Sequence, residues 1–231
     1  MCGRYTLTIT LDEFVAAFPG LKIEIGSDDF FPRYNIAPTQ PIPVIRDDGD
    51  RQLKFHHWGL IPSWAKDKKF ASRMINARSE TAAQKPSFRE AFRARRCLIP
   101  ADGFFEWIKV EGTKKKLPVY IHLKSKAPFA FAGLWETWTS PQGEVIPSAV
   151  ILTTEPNRLV AKVHNRMPVI LPRDAYDLWL DPEEKDPAVL AHLLKPYPAD
   201  QMAQYPVSTL ASYPSNEGPQ VIEPLQKLTL D

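Results

Sequence analysis

The chain has 231 residues, of which 44% are hydrophobic and 24% are charged, and its formal net charge is +2. This composition is typical of a soluble globular protein and argues against a disordered or fibrous chain. No positively charged start leads into an apolar run, and no stretch approaches the roughly 20 apolar residues that would span a bilayer. We therefore expect a single domain over residues 1–231 in the cytoplasm, near the nucleoid in a bacterium or in the nucleus of a eukaryote.

The second residue, Cys2, is the first feature that indicates chemistry. The only other cysteine, Cys97, lies in the apolar stretch RCLIP, which favours a buried core residue. Two distant cysteines without a secretory signal do not make a disulfide framework. Because a chain end is a poor place to bury a side chain, we interpret Cys2 through its reactivity.

Removal of the initiator methionine would give Cys2 a free α-amine beside its thiol. An α-amine titrates at about 7.7–8.0, so part of it is neutral and nucleophilic near neutral pH. Such an amine attacks an aldehyde to give a Schiff base, and the adjacent thiol can close onto the imine carbon as a thiazolidine ring. The same two groups also fit an alternative, an N-terminal nucleophile that hydrolyses amides.

The pattern TLDEFVAAFPG predicts a first helix. Thr10 and Glu13 have the spacing of a capping box, and a Pro-Gly pair ends the pattern. The predicted apolar stripe consists of Leu11, Phe14, Val15 and Phe18.

Short β-rich runs separated by turn residues follow this helix. They are PIPVIR and QLKFHHW around DDGD, then FFEWIKV, PVYIHL, FAFAGLWETW and SAVILTT. Helical patterns return at NRLVAKV, RDAYDLWL and PAVLAHLL. Because strands and helices alternate without regular βαβ repetition, we predict an α+β fold on a twisted, largely antiparallel sheet with a barrel-like core.

A basic segment, residues 66–96, lies among these strands. It holds ten Lys or Arg against three acids, a local excess of +7, which suggests a face for a polyanion. Its sequence SFREAFRARR predicts a second helix, with Ser87 and Glu90 as the cap. The side chains expected to face the core are Phe88, Ala91 and Phe92.

Three polar islands carry the remaining candidate residues. MINARSE places Asn76 and Arg78 on one face if this segment is a strand. ADGFFEW puts Glu106 among aromatic residues, where desolvation would raise its pKa and let it exchange a proton near neutrality. KVHNRMPVI holds His164 and Arg166 between apolar segments.

Motifs for other kinds of site are missing from the sequence. No GxGxxG, Walker or GxSxG pattern occurs, so nucleotide cofactors and serine-hydrolase chemistry lose their main support. His56 and His57 would point to opposite faces of a strand, and no HExxH or paired-cysteine spacing accompanies them. Neither a metal site nor a cofactor is expected.

Taken together, the motifs resemble the SRAP family, the SOS response-associated peptidases, understood as abasic-site processing proteins. The resemblance runs from Met1 to about Pro224, with its motifs in the family's order. They are MCGRY, RYNIAPTQ, WGLIPSWA, NARSET, RCLIPADGFFEW, AGLWE, VHNRMPVIL and PVS.

The resemblance implies a protein that binds single-stranded DNA and links Cys2 covalently to the ring-opened sugar of an abasic site. It implies that Asn76 positions the N-terminus, Glu106 acts as acid and base, and His164 assists sugar ring opening. It also implies autocatalytic exposure of Cys2, as the family name suggests, and weak lyase activity through the Schiff base. Where the family often has an acidic residue after the histidine, this chain has Asn165.

The same resemblance assigns the DNA contacts. Phosphate-contacting positions match Arg4, Arg78 and Arg166, and the candidate walls of the strand groove are Pro38, Trp58 and Trp64. We expect a monomer, because a reaction at a chain terminus needs no second subunit. Besides the amidohydrolase, a non-covalent reader of single-stranded or modified nucleic acid stays open as an alternative, and it would tolerate Cys2→Ala.

Overall fold

The computed structural model describes residues 2–23, 26 and 29–225. Most of the regular structure in these ranges is β-sheet, and the helices are short. The strands are β1 (Tyr5–Leu7), β2 (Arg33–Ile36), β3 (Pro41–Asp47), β4 (Arg51–Trp58), β5 (Asn76–Arg78), β6 (Arg96–Ala101), β7 (Gly103–Lys109), β8 (Lys116–Leu123), β9 (Phe129–Thr139), β10 (Val145–Thr154), β11 (Met167–Pro168), β12 (Ile170–Leu171) and β13 (Met202–Pro206).

The helices sit in the connections between strands. The α-helices are α1 (Leu11–Ala17), α2 (Ser79–Ala82), α3 (Arg89–Ala94), α4 (Tyr176–Leu180) and α5 (Pro187–Ala191). Short 3-10 helices cover Lys68–Arg73, Val160–Lys162, Arg173–Ala175, Ala199–Gln201, Thr209–Ser212 and Pro219–Val221. Within the described ranges, no helix is long and apolar enough to cross a membrane.

Five strands close into a barrel in the order β10, β4, β3, β6 and β9, with β9 pairing back onto β10. All of these pairings are antiparallel except β4 with β10, where Ser148 lies opposite His57. Strand β5 also runs parallel to β10, and β11 and β12 extend the sheet. The predicted α+β fold with a largely antiparallel, barrel-like core is thus confirmed.

A second sheet, in the order β13, β8, β7, β1 and β2, packs against this barrel. Tyr5 on β1 carries the contact, because its ring meets Trp58 edge-on at 5.2 Å and Phe131 at 5.8 Å between ring centroids. The other face of the second sheet is covered by the chain that follows β13, where Phe105 and Tyr120 join a separate small cluster with Val207. The second sheet is therefore buried on both faces over much of its area. Strand β1, which lies close to the chain start, is buried with it.

The local predictions have mixed outcomes. The capping box of α1 is present, with Thr10 and Glu13 bonded to each other in both directions, but Val15 is exposed rather than part of the apolar stripe. Helix α3 buries its three predicted side chains, yet it begins at Arg89 and Ser87 does not cap it. The segment NRLVAKV forms only a 3-10 turn, Val160–Lys162, too short for the predicted helix.

Candidate active site

The start of the described chain is tied to the first residue of β5. The Asn76 side-chain amide donates a hydrogen bond to the Cys2 backbone carbonyl at 2.7 Å. The Cys2 side chain is fully buried, and its thiol makes a long contact of 3.9 Å with the Arg4 carbonyl oxygen. Asn76 therefore fixes the backbone of the residue from which the predicted chemistry starts.

Glu106 lies on the strand beside the chain start. Tyr5 pairs with Phe104 across β1 and β7, and extending this antiparallel register by two residues puts Gly3 opposite Glu106. The Glu106 side chain is buried, and this burial raises the pKa of its carboxyl to about 7. Burial also raises the pKa of the Cys2 thiol, and the charge of Glu106 adds to that effect. The strand pairing thus delivers a carboxyl group poised near neutrality to the chain start.

His164 and Arg166 approach the same region from the segment before β11. The backbone N–H of Arg166 donates to His164 Nδ1 at 3.0 Å, and the Arg166 carbonyl oxygen lies 3.2 Å from the same ring nitrogen. Burial lowers the pKa of His164, and the Lys116 ammonium acts in the same direction. The imidazole is therefore held neutral and oriented by its own loop.

Strand β10 contacts both β5 and the segment that carries His164 and Arg166. Its residue Thr153 pairs with Arg78 on β5 and with Pro168 on β11. Its carbonyl also accepts a hydrogen bond from the Arg166 guanidinium at 2.6 Å. One strand end thus brings Arg78 and the His164 segment to the same edge of the barrel.

The three predicted phosphate-contacting arginines have different surroundings. The Arg78 side chain is exposed and forms no hydrogen bond or salt bridge within the described ranges, although its charge helps to lower the pKa of Glu80. Arg166 is held in a two-point ion pair by Glu80, at 2.6 and 2.9 Å. Arg4 is buried, its guanidinium bonded to Asn35 and the Ala211 carbonyl at 2.8 Å each. Arg78 is thus ready for an anion, Arg166 is occupied by a carboxylate, and Arg4 is a buried brace rather than an open phosphate contact.

The three residues predicted to form the groove walls also differ in their exposure. Trp58 is fully buried in the core, where its indole N–H donates to the Ile75 carbonyl at 3.0 Å, so the prediction that it stacks on bases is wrong. Pro38 is half-buried in a tight turn closed by Gln40 N–H on the Ala37 carbonyl. Trp64 has 56% of its surface exposed, which suits a stacking surface.

The turn at Pro38 is also strained. Thr39 adopts φ 72°, a left-handed conformation that is rare for a β-branched residue. Its N–H donates to the Trp58 carbonyl at 2.9 Å, which fixes the turn to the end of β4. Such strain concentrates at functional sites, so the geometry of this turn is consistent with a role at the groove.

Sequence reasoning missed three residues at this site. Glu80 holds Arg166, Thr153 joins the elements, and Phe70 lies edge-on to Trp64 at 5.8 Å between ring centroids while 37% exposed. Phe70 had a signal, since it follows two lysines in the basic segment and aromatic residues among cations are typical of strand-binding surfaces. Glu80 and Thr153 had none, because their roles come from tertiary pairing.

No group of three or more His, Cys, Asp or Glu side chains able to hold a metal ion occurs in the part of the chain that the structure describes. The chemistry offered by the arrangement is that of the chain start itself. It combines a fixed backbone at residue 2, a buried carboxyl with a pKa near 7 and a neutral imidazole.

Comparisons with known proteins place the chain in a family. The family model described as SOS response associated peptidase (SRAP) matches residues 1–213. An abasic site processing protein of Bacillus subtilis (strain 168), YoqW, is 46% identical over 224 residues, which cover 96% of this chain and 99% of that protein. The abasic site processing protein HMCES of Rattus norvegicus is 30% identical, covering 99% of this chain and 77% of its own.

Solved structures show the same fold. An X-ray structure of a protein from Bacteroides thetaiotaomicron matches with a TM-score of 0.87 and 27% identity, covering 97% of this chain and 100% of that one. A second, from Bordetella bronchiseptica, matches with a TM-score of 0.75 and 30% identity, covering 90% and 100%.

Proposed function

Because the chain belongs to the SOS response associated peptidase (SRAP) family, we propose that it processes abasic sites in single-stranded DNA by a covalent link through Cys2. The observation that carries the proposal is the hydrogen bond from Asn76 to the Cys2 carbonyl. It holds residue 2 beside a carboxyl group with a pKa near 7, which is the partner that a nucleophilic α-amine needs.

The reaction begins once Met1 has been removed and the Cys2 α-amine is free. The amine nitrogen attacks the aldehyde carbon of the ring-opened deoxyribose, and loss of one water gives an imine. The Cys2 sulfur then adds to the imine carbon, the thiol proton goes to the nitrogen, and a thiazolidine ring closes. Both new bonds involve the same carbon atom, so the intramolecular second step gains the entropic advantage of proximity.

The neighbouring groups move the protons. Glu106 in its ionised form accepts a proton from the amine during attack, and in its protonated form it donates to the departing water. His164, as a neutral imidazole, serves the opening of the sugar ring. We further propose that the same groups assist autocatalytic removal of Met1, and that the imine permits a weak lyase reaction by β-elimination before the ring closes.

The DNA strand is held outside this centre. An abasic sugar has no base to read, so affinity must come from phosphate contacts and from stacking of the neighbouring bases. Arg78 is the open cation, and Trp64 with Phe70 is the exposed aromatic pair. We propose that the protein acts as a monomer on this strand.

The test is to mix the purified protein, shown by intact mass to lack Met1, with a single-stranded oligonucleotide that carries one abasic site. We expect a shifted band on a denaturing gel, with peptide mapping that assigns the added mass to Cys2. Cys2→Ala should lose the band. The matched control is Cys97→Ala, which removes the other buried cysteine and should keep the band.

Two further measurements separate the alternatives. With borohydride present, Cys2→Ala should regain a band, because its α-amine still forms an imine that reduction makes permanent. A band in Cys2→Ala without reductant would contradict the role of the thiol. A shift on native gels alone, with no covalent product in the wild type, would favour the non-covalent reader.

A further inference from the structure

We propose that the hairpin formed by β7 and β8 is a second phosphate-binding surface, and that it takes the single-stranded DNA on one side of the lesion. This inference rests on the proposed function and names a contact that lies outside the basic segment, residues 66–96. The surface, called the lysine hairpin below, consists of Lys109, Lys114, Lys115 and Lys116.

The lysine hairpin carries a dense positive charge. Residues 109–116 hold four lysines and one acid, a net charge of +3, and all eight residues are exposed. Within the described ranges none of the four lysines forms a salt bridge, whereas Lys68 and Lys69 of the basic segment are paired with Glu144 and Asp67. The hairpin therefore offers cations that no carboxylate of the described ranges occupies.

The strand register sharpens this observation. Lys109 on β7 pairs directly with Lys116 on β8. Like charges directly opposite each other destabilise an antiparallel pair, so this position costs the free protein stability. A phosphate bound between the two ammonium groups would remove that repulsion.

The tip of the hairpin is ordered by its own hydrogen bonds. The Val110 N–H donates to the Lys115 carbonyl, and the Thr113 N–H donates to the Val110 carbonyl, each at 3.1 Å. The Lys115 N–H donates to the Thr113 hydroxyl at 3.1 Å, and Gly112 supplies the left-handed residue of the turn. The lysines are thus presented from a fixed scaffold, which lowers the entropy lost on binding.

The lysine hairpin adjoins the active site. Lys109 lies three residues beyond Glu106 on the same strand, about 10 Å along it at the usual rise, and its side chain leaves from the opposite face. Lys116 lies close enough to His164 to affect its titration. A strand whose abasic sugar reaches Glu106 therefore has its flanking phosphates within reach of the hairpin on one side.

The experiment compares two double variants at the two ends of β8. Lys114→Gln with Lys115→Gln removes the tip charges, and Lys124→Gln with Lys126→Gln removes two exposed charges beyond the far end of the strand. Binding of an intact single-stranded oligonucleotide is measured by fluorescence anisotropy over a range of salt concentrations. Two lost phosphate contacts should lower the magnitude of the slope of log K against log salt by about 1.4 in the hairpin variant only.

A second arm locates the flank. Oligonucleotides with the abasic site at the 5′ end or at the 3′ end have phosphates on only one side of the lesion, and the hairpin variant should lose affinity for only one of them. Its crosslinking rate at saturating DNA should equal that of the wild type. An unchanged salt slope, an equal change in the far-end variant, or a slower rate at saturation would each overturn the inference.

These results are distinguishable from a failure of the proposed function. If the wild type forms no crosslink, the proposed function fails whatever the salt slopes are. If the wild type crosslinks and the hairpin variant keeps its salt slope, only the lysine hairpin is wrong.

Discussion

The proposed chemical centre and the proposed DNA-facing surface of this protein are built in opposite ways. At the centre, Cys2 and Glu106 are buried and Asn76 is bonded to the chain start. At the surface, Trp64 is more than half exposed and Arg78 makes no salt bridge within the described ranges. The first region is mostly buried and its groups have protein partners, and the second is exposed.

The difference follows from what each region must do. A carboxyl group acquires a pKa near 7 only when burial disfavours its charge, so the proton-transfer site has to lie inside the sheets. A strand of DNA brings its own charge and its own flat bases, so its surface works best when cations and ring faces stay exposed. In this proposal, burial sets the pKa that the chemistry needs, and exposed residues provide the affinity for DNA.

The largest expected effect is at the buried centre. Glu106→Gln should slow crosslink formation by about 10² to 10⁴-fold, because the side chain can no longer exchange a proton. In the wild type both Glu106 and the α-amine must lose protons, so below pH 7 the logarithm of the rate should rise with a slope of two. The variant should show a slope of one in single-turnover assays, and an unchanged slope would remove Glu106 from proton transfer.

The two tryptophans test whether burial divides the roles as described. Trp58→Ala should lower the free energy of unfolding by about 3–5 kcal/mol, because it empties a core position between the sheet and the barrel. Trp64→Ala should leave the melting temperature nearly unchanged and weaken strand binding by about 1–3 kcal/mol, as expected for one lost stacking contact. Thermal denaturation and anisotropy on both variants measure the two effects, and a stability loss in Trp64→Ala would erase the distinction.

The smallest effect is expected at the edge between the regions. Arg78→Gln should lower the magnitude of the salt slope by about one and weaken binding evenly across sequences. Glu80→Gln should instead strengthen binding, because it releases the Arg166 guanidinium from its ion pair and removes an anion near the phosphates. If neither variant changes the salt slope, this edge serves structure alone.

How much of this was predictable from sequence depends on the range of the interactions. The capping box at Thr10 is local, and it was predicted and found. Trp58 was misassigned because an aromatic residue in a motif looks the same whether it packs inward or outward, and only the contact with Tyr5 decides. Arg4 and Arg166 were predicted to have the same role, a phosphate contact. Their partners Asn35, Ala211 and Glu80 come from distant segments that no local pattern reveals.

The site residues divide in the same way. Asn76 and Glu106 were indicated by their polar character among apolar neighbours, and the structure brings both to Cys2. Ser87 resembled a helix cap by spacing, but the helix begins later because Phe88 turns into the core at that point. Local chemistry was thus visible in the sequence, and the tertiary partners were not.

The bond from Asn76 to the Cys2 carbonyl has a practical consequence for producing this protein. It fixes the position of the backbone at residue 2. Whether a free α-amine lies at the site therefore depends on which residue begins the chain. An affinity tag fused ahead of Met1 would leave an amide where the proposed reaction needs an amine, so such material would be inert unless the proposed autocatalytic cleavage freed Cys2. A tag placed after Asp231, with expression in a host whose aminopeptidase trims the first residue, avoids that artefact.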